Sequence, residues 1–279
     1  MKKLVVVITH EEEGESLAVK KARDIAAAFD AEVEVVQFVP QDCSDADRQS
    51  AQQSVTESVN AVFSDPDGVS SQIVATESIP GWMAEHYPPG NEILVVRTEH
   101  RSERPFNTST DLGLIRHLDC PLLISCNRKW KSRPNVLMAL DLSSDAPLRR
   151  ELNEHAMHAA RLWANVHDCK LHAIYCVSIP APLLELDIVE RYEYARTHEP
   201  DAKDRLLALL EESGMSGVTP HIEAGTTEKA IAHTASVLKA DLVIMGSVGH
   251  DTWLPRLLND RIAAEQVLDG SGRDHCLRP

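Results

Sequence analysis

The sequence predicts an α/β protein built from two tandem domains, each an open parallel sheet with helices on both faces. Three observations carry this reading. Apolar bursts of strand length alternate with helical stretches along the chain. The bursts are near-continuous runs of Val, Ile and Leu, which marks strands buried on both faces. The pattern then restarts near residue 135, and 279 residues accommodate two domains of roughly 100–200 residues each.

The first copy opens with the strand KLVVVIT (Lys3 to Thr9), followed by GESLAVKKARDIAAAF with apolar residues at helical spacing. Next come the strand AEVEVVQFV (Ala31 to Val39), a polar helical stretch around Ala46 to Phe63, and the strand SQIVAT (Ser71 to Thr76). The short segment PGWMAEHYPP leads to NEILVVRT (Asn91 to Thr98), and a helical piece ends in HLDCPLLISC (His117 to Cys126). NVLMALDLSS (Asn135 to Ser144) answers the first strand, and ELNEHAMHAARLWANVHDCKLHAIYCV reads as helix then strand. VTPHIEAG (Val218 to Gly225), a helix over Thr227 to Leu238, and ADLVIMGS carry the second copy through its fourth strand. Leu4 aligns with Val136 and Ile93 with Leu242, so the second copy is longer by about 17 residues, most simply within Ile179 to Glu212. A repeat this long is a duplicated domain and not a solenoid unit. The domains are set at 1–130 and 131–279, with the seam at the basic, proline-ended stretch Arg128 to Pro134.

Composition excludes several classes. A formal charge of −15 with no concentrated basic face argues against a nucleic-acid partner. The one basic cluster, NRKWKSRP (Asn127 to Pro134), reads as a solvated linker. No apolar run approaches the ~20 residues of a membrane helix, and the N-terminal apolar run is too short for a secretory core of roughly 7–15 residues. Six cysteines without a Cys-x-x-Cys pair are expected as free thiols in a cytoplasmic chain.

Two α/β units, ALDLS at the end of a first strand and DLVIMGSVG after a fourth resemble the universal stress protein family. The duplication, with FNTSTDLGLIRHLDCPLLI closing the first half, resembles its tandem E-type branch. The resemblance implies the adenine nucleotide alpha hydrolase-like sheet, five parallel strands in the order 3-2-1-4-5. It also implies a stress-response binding and regulatory protein rather than an enzyme, acting through a protein partner or small effector. By the same resemblance the two copies form an internal pseudo-dimer through CPLLISC (Cys120 to Cys126), the first copy serving as a built-in partner for the second.

Nucleotide-binding members run from the fourth strand into Gly-x-x-Gly, then nine residues, then Gly with Ser or Thr. Glycines let the backbone approach phosphate, and helix N–H groups receive it. Gly246 and Gly249 match; Asn259 and Asp260 stand where the second pair belongs. An Asp260 carboxylate beside phosphate is repelled by about 4 kcal/mol at 4 Å in an effective dielectric of about 20, unless a cation such as Mg²⁺ intervenes. Asp141 matches the aspartate that contacts adenosine, and Val177 the valine that packs on adenine. The adenosine half of the site is thus expected intact and the phosphate half damaged. No cofactor is assured, and ATP or another adenine nucleotide is expected to bind the second domain weakly at most. The alternatives are an ATP-binding member with slow hydrolysis and a purely protein-binding scaffold with both pockets collapsed. In the first copy Thr9 replaces Asp141, and Arg97 and His100 replace the glycines; Arg97 and Arg101 read as solvated loop charges, and no site is assigned there.

Other constellations point to no catalysis. GSVG is not a nucleophile elbow, since Met245 lies two residues before Ser247. His155 and His158 share a helical face but lack a third ligand, so no metal site is assigned. Cys169, His172 and Cys176 are expected in the core, and Trp82, Trp130, Trp163 and Trp253 form no stripe. Neither Ser-Gly-Gly-x-Asp-Ser nor His-x-Gly-His occurs, which removes the pyrophosphatase and synthetase analogies. After AAEQVLD, read as helix, the tail GSGRDHCLRP offers no apolar run. The second sheet is therefore expected to lack its fifth strand, leaving an apolar edge DLVIMG to be covered by the first domain's fifth strand or by a second molecule in a homo-dimer.

Overall fold

The computed structural model describes residues 3–8, 16–87, 93–98, 110–118, 120–125, 130–179, 191–246 and 265–269. The chain divides into two compact units, one of Met1–Asn127 with Val267–Pro279, the other of Arg128–Gln266.

In the first unit the strands are β1 (Lys3–Ile8), β2 (Glu32–Val39), β3 (Val69–Ala75), β4 (Ile93–Thr98) and β5 (Leu122–Ser125). They lie in the order β3-β2-β1-β4-β5, and all four pairings are parallel. Leu4, Val5 and Val6 of the central β1 are fully buried, as a strand covered on both faces requires. The covering helices are α1 (Leu17–Phe29), α2 (Asp45–Val62), α3 (Ile79–His86) and α4 (Thr110–His117). Helix α1 buries Ala18, Val19, Ala22, Ile25 and Ala26, one stripe at helical spacing, and stops where Asp30 turns left-handed at φ 51°. Helix α2 starts on a capping box in which Ser44 and Asp47 satisfy each other's backbone N–H. Helix α3 forms within the segment PGWMAEHYPP, which the sequence offered no element for; Ser78 caps it and Pro80 fits its first turn.

One polar network is built into this sheet. The Glu34 carboxylate takes Lys3 Nζ at 2.6 Å, Gln72 Nε2 at 2.8 Å and the Tyr87 hydroxyl at 2.9 Å. Burial pushes the Glu34 carboxyl upward, but the Lys3 and Tyr87 contacts outweigh it and hold the group below its usual range. Burial and the adjoining carboxylate push the Tyr87 phenol upward.

Arg97 overturns a sequence expectation. It lies in β4 at 2% exposure, not in a solvated loop. The strand pairs through it with Ile124 of β5, so its side chain is packed into the first unit.

In the second unit β6 (Asn135–Ala139), β7 (Lys170–Ser178), β8 (Thr219–Gly225) and β9 (Leu242–Gly246) form four parallel strands in the order β8-β7-β6-β9. The helices are α5 (Pro147–Val166), α6 (Arg191–Glu212) and α7 (Thr227–Leu238). Helix α6, at 22 residues against 18 in α2, takes up four residues of the extra length of the second copy. From Leu242 to Met245 the β9 side chains are buried. A last strand, β10 (Glu265–Asp269), falls across the boundary between the two units. It replaces the helix expected for AAEQVLD; Val267 and Leu268 suit a strand as well as a helix over so short an apolar run. The tail from 270 to 279 lies outside the described residues.

The basic seam is also more than a solvated linker. Trp130 meets Trp163 of α5 edge-on at 4.9 Å between ring centroids. Lys131 Nζ reaches Asp241 Oδ2 at 2.9 Å and the Lys239 carbonyl at 2.8 Å, closing the loop that follows α7. Two of the four tryptophans that showed no stripe in the sequence therefore meet in space.

Candidate functional site in the second unit

In open α/β sheets, ligands sit beyond the carboxyl ends of the strands, where the strand order reverses. In the second unit that point is β6, whose successor β7 lies on one side and β9 on the other. A cavity of about 410 Å³ opens there, within the roughly 300–1,000 Å³ typical of small-molecule sites. Its apolar lining includes Leu148, Ile174, Ile231 and Met245, and its polar lining includes Asp141, Arg149 and Asn153.

Asp141 stands two residues past the end of β6, at the cavity mouth. Its backbone is clasped by the buried Asn153 amide: Asn153 Oδ1 accepts the Asp141 N–H at 2.9 Å, and Asn153 Nδ2 donates to the Asp141 carbonyl at 2.9 Å. The carboxylate accepts the Ser143 N–H at 2.9 Å, an Asx turn, and forms an ion pair with Arg149. Arg205 of α6 donates to the Leu142 carbonyl and fastens the same loop. Arg149 and Asn153 were missed in the sequence. Their i, i+4 spacing on a helix starting just after Asp141 was the available signal.

Gly246 also lines the cavity, at the end of β9. A Cβ there would lie 2.7 Å from Leu152 Cβ and 3.2 Å from the Leu152 carbonyl oxygen. The missing side chain is thus accounted for by the close approach of α5, and it needs no phosphate to explain it. Val177 lies on β7, half-buried, one residue beyond the lining residue Cys176. Gly249, Asn259 and Asp260 lie outside the described residues, as do His100 and Arg101. Of the expected site residues, Asp141 and Gly246 line the cavity and Val177 stands just beyond its lining, while Gly246 supplies no separate support for a phosphate cradle.

Cys169, His172 and Cys176 are half-buried and not core residues. His172 Nδ1 lies 3.0 Å from His221 Nε2 across β7 and β8. Burial, then the His221 charge, lowers the His172 pKa; burial lowers that of His221 against the opposing pull of Glu223. Burial pushes the Cys169 thiol up, away from thiolate reactivity. A second recess of about 440 Å³, at the amino ends of β7 and β8, gathers Arg133, Arg161 and Lys170. Arg133 is paired with Asp168 at 3.2 Å and Arg161 donates to the Ser213 carbonyl at 2.8 Å, so two of these cations already have structural partners. Among the described residues no group of three or more His, Cys, Asp or Glu gathers as a metal site, and no helix is long and apolar enough to cross a membrane.

The model of the universal stress protein family matches residues 133–270. Universal stress protein E of Escherichia coli is 25% identical over 187 residues, a span covering 64% of this chain and 58% of that protein's length. A crystal structure from Pseudomonas aeruginosa matches the fold with a TM-score of 0.68 at 20% identity, covering 96% of this chain and 92% of that one. A universal stress protein from Archaeoglobus fulgidus matches with 0.64 at 15% identity, covering 97% of both chains. With residues 133–270 matched, the second unit belongs to the universal stress protein family, and the first unit repeats its strand order in tandem.

Proposed function

We propose that the protein is a stress-response binding and regulatory module whose second unit takes the adenosine part of a nucleotide, with weak affinity for ATP and no catalytic role. The observation that carries the proposal is the 410 Å³ cavity at the switch point with Asp141 at its mouth. Asp141 would receive hydrogen-bond donors of the nucleoside, and the Asn153 clasp keeps it in place for that. The sequence supports the weakness for ATP, since Asn259 and Asp260 stand in place of the Gly and Ser or Thr that would cradle the distal phosphates.

Calorimetric titration with adenosine and with ATP tests the reading. Adenosine is expected to bind, with ATP no tighter than micromolar. Asp141→Ala should weaken adenosine by roughly ten- to a hundredfold, the loss of a hydrogen bond to a charged group. Tight ATP binding would overturn the weak-affinity part. Adenosine affinity unchanged by Asp141→Ala would place the ligand elsewhere. Phosphate release from ATP that Asp141→Ala abolishes would replace a binding role with slow hydrolysis.

A further inference from the structure

We propose that Arg149 is a charge gate, making the second-unit cavity select phosphorylated nucleosides over uncharged ones. The inference rests on the adenosine reading above and names the ligand class of that site.

Both oxygens of the Asp141 carboxylate have partners before any ligand arrives. One accepts the Ser143 N–H at 2.9 Å; the other is paired with Arg149. The two partners differ in freedom. Ser143 offers a backbone N–H two residues away, and the Asp141 backbone is fixed on both sides by Asn153. Arg149 is a long side chain, 42% exposed, on the first turn of α5. When a ligand engages Asp141, Arg149 is the group that moves.

The consequence depends on ligand charge. An uncharged nucleoside breaks the ion pair and gives the guanidinium nothing in return. A nucleoside with a phosphate near its sugar breaks the same pair and offers a new anion within the cavity that Arg149 lines. The planar guanidinium fork suits phosphate oxygens. The first turn of α5 holds no acidic residue, so the positive end of the helix adds to the attraction instead of being neutralised. Longer phosphate chains gain less, because the sequence has Asn259 and Asp260 where nucleotide-binding members carry the Gly and Ser or Thr that receive distal phosphates.

The test compares adenosine with adenosine 5′-monophosphate by calorimetry on the full chain, on Arg149→Ala and on Arg149→Lys. The native chain should prefer the monophosphate by about tenfold, the value of one charge-assisted contact. Arg149→Ala should weaken the monophosphate, strengthen adenosine by freeing Asp141, and so abolish or invert the preference. Arg149→Lys should keep a reduced preference. On the native chain alone, raising salt should narrow the preference by screening the phosphate contact, which gives a readout if a variant misfolds. An Arg149→Ala chain that binds both ligands with the native ratio overturns the gate and leaves the adenosine site standing. Failure of the native chain and the variants to bind either ligand overturns the site itself, and the gate with it.

Discussion

Gly246 has no room for a side chain because Leu152 fills the space beside it: an added Cβ would lie 2.7 Å from Leu152 Cβ. Replacing the glycine by alanine would force α5 away from the end of β9, an overpacking of about 1–3 kcal/mol. Urea denaturation of Gly246→Ala should show that loss. The cost should shrink in a Leu152→Gly background, since only glycine removes the Cβ that lies 2.7 Å away. An equal cost in both backgrounds would show that Leu152 is not the obstacle. The residue illustrates what a motif conceals. In the sequence, Gly246-x-x-Gly249 invites a phosphate; in the folded unit the first glycine answers to a leucine on a helix almost 100 positions earlier. Asp141, by contrast, was legible, because its place after a first strand is set by local order. Arg149 and Asn153 were not, since only the docking of α5 against β6 and β9 turns them toward Asp141.

Strands β7 and β8 carry a pH-sensitive contact, the His172–His221 pair. Burial and mutual charge lower the His172 pKa, and burial lowers that of His221. Above the ordinary histidine pKa of about 6.5 both are neutral in either state, and the contact contributes in full. As pH falls below that value the unfolded chain takes up protons first, so folded stability declines until the depressed native pKa values are reached. Comparing urea midpoints at about pH 7.5 and pH 5 should show a smaller acid loss for His221→Gln than for the native chain; the difference isolates this pair from the other histidines. Equal losses would deny the pair a role. At this scale the sequence was informative wherever periodicity was strong: α7 spans Thr227–Leu238 in both readings. It failed at α3, where Pro80 and Gly81 hide an eight-residue helix that a Ser78 cap and a buried Met83 sustain. It failed again at Glu265–Asp269, where two apolar residues cannot distinguish a helical from a strand period.

The two units share a strand order but have diverged where it matters for ligands. Both the α/β class and the duplication could be read from the sequence, because parallel strands buried on two faces leave runs of Val, Ile and Leu that survive substitution. What a single sequence withheld was the state of each pocket. Thr9 and the loss of glycine marked the first unit as altered, yet an arginine after four apolar residues looked like a surface charge. Its burial at 2% shows that the guanidinium has been taken into the fold. Aligning Ile93 with Leu242 places Arg97 opposite Gly246, so the first unit buries a guanidinium side chain at the position where the second has none and lines its cavity with glycine. The consequence is a stoichiometry. Each chain should saturate with one nucleoside ligand, and its binding isotherm should be a simple hyperbola with no sigmoidal onset. A titration that ends at two ligands per chain would contradict this. With one site per chain, occupancy tracks ligand concentration gradually, and the protein would report a level where a cooperative one would flip between states.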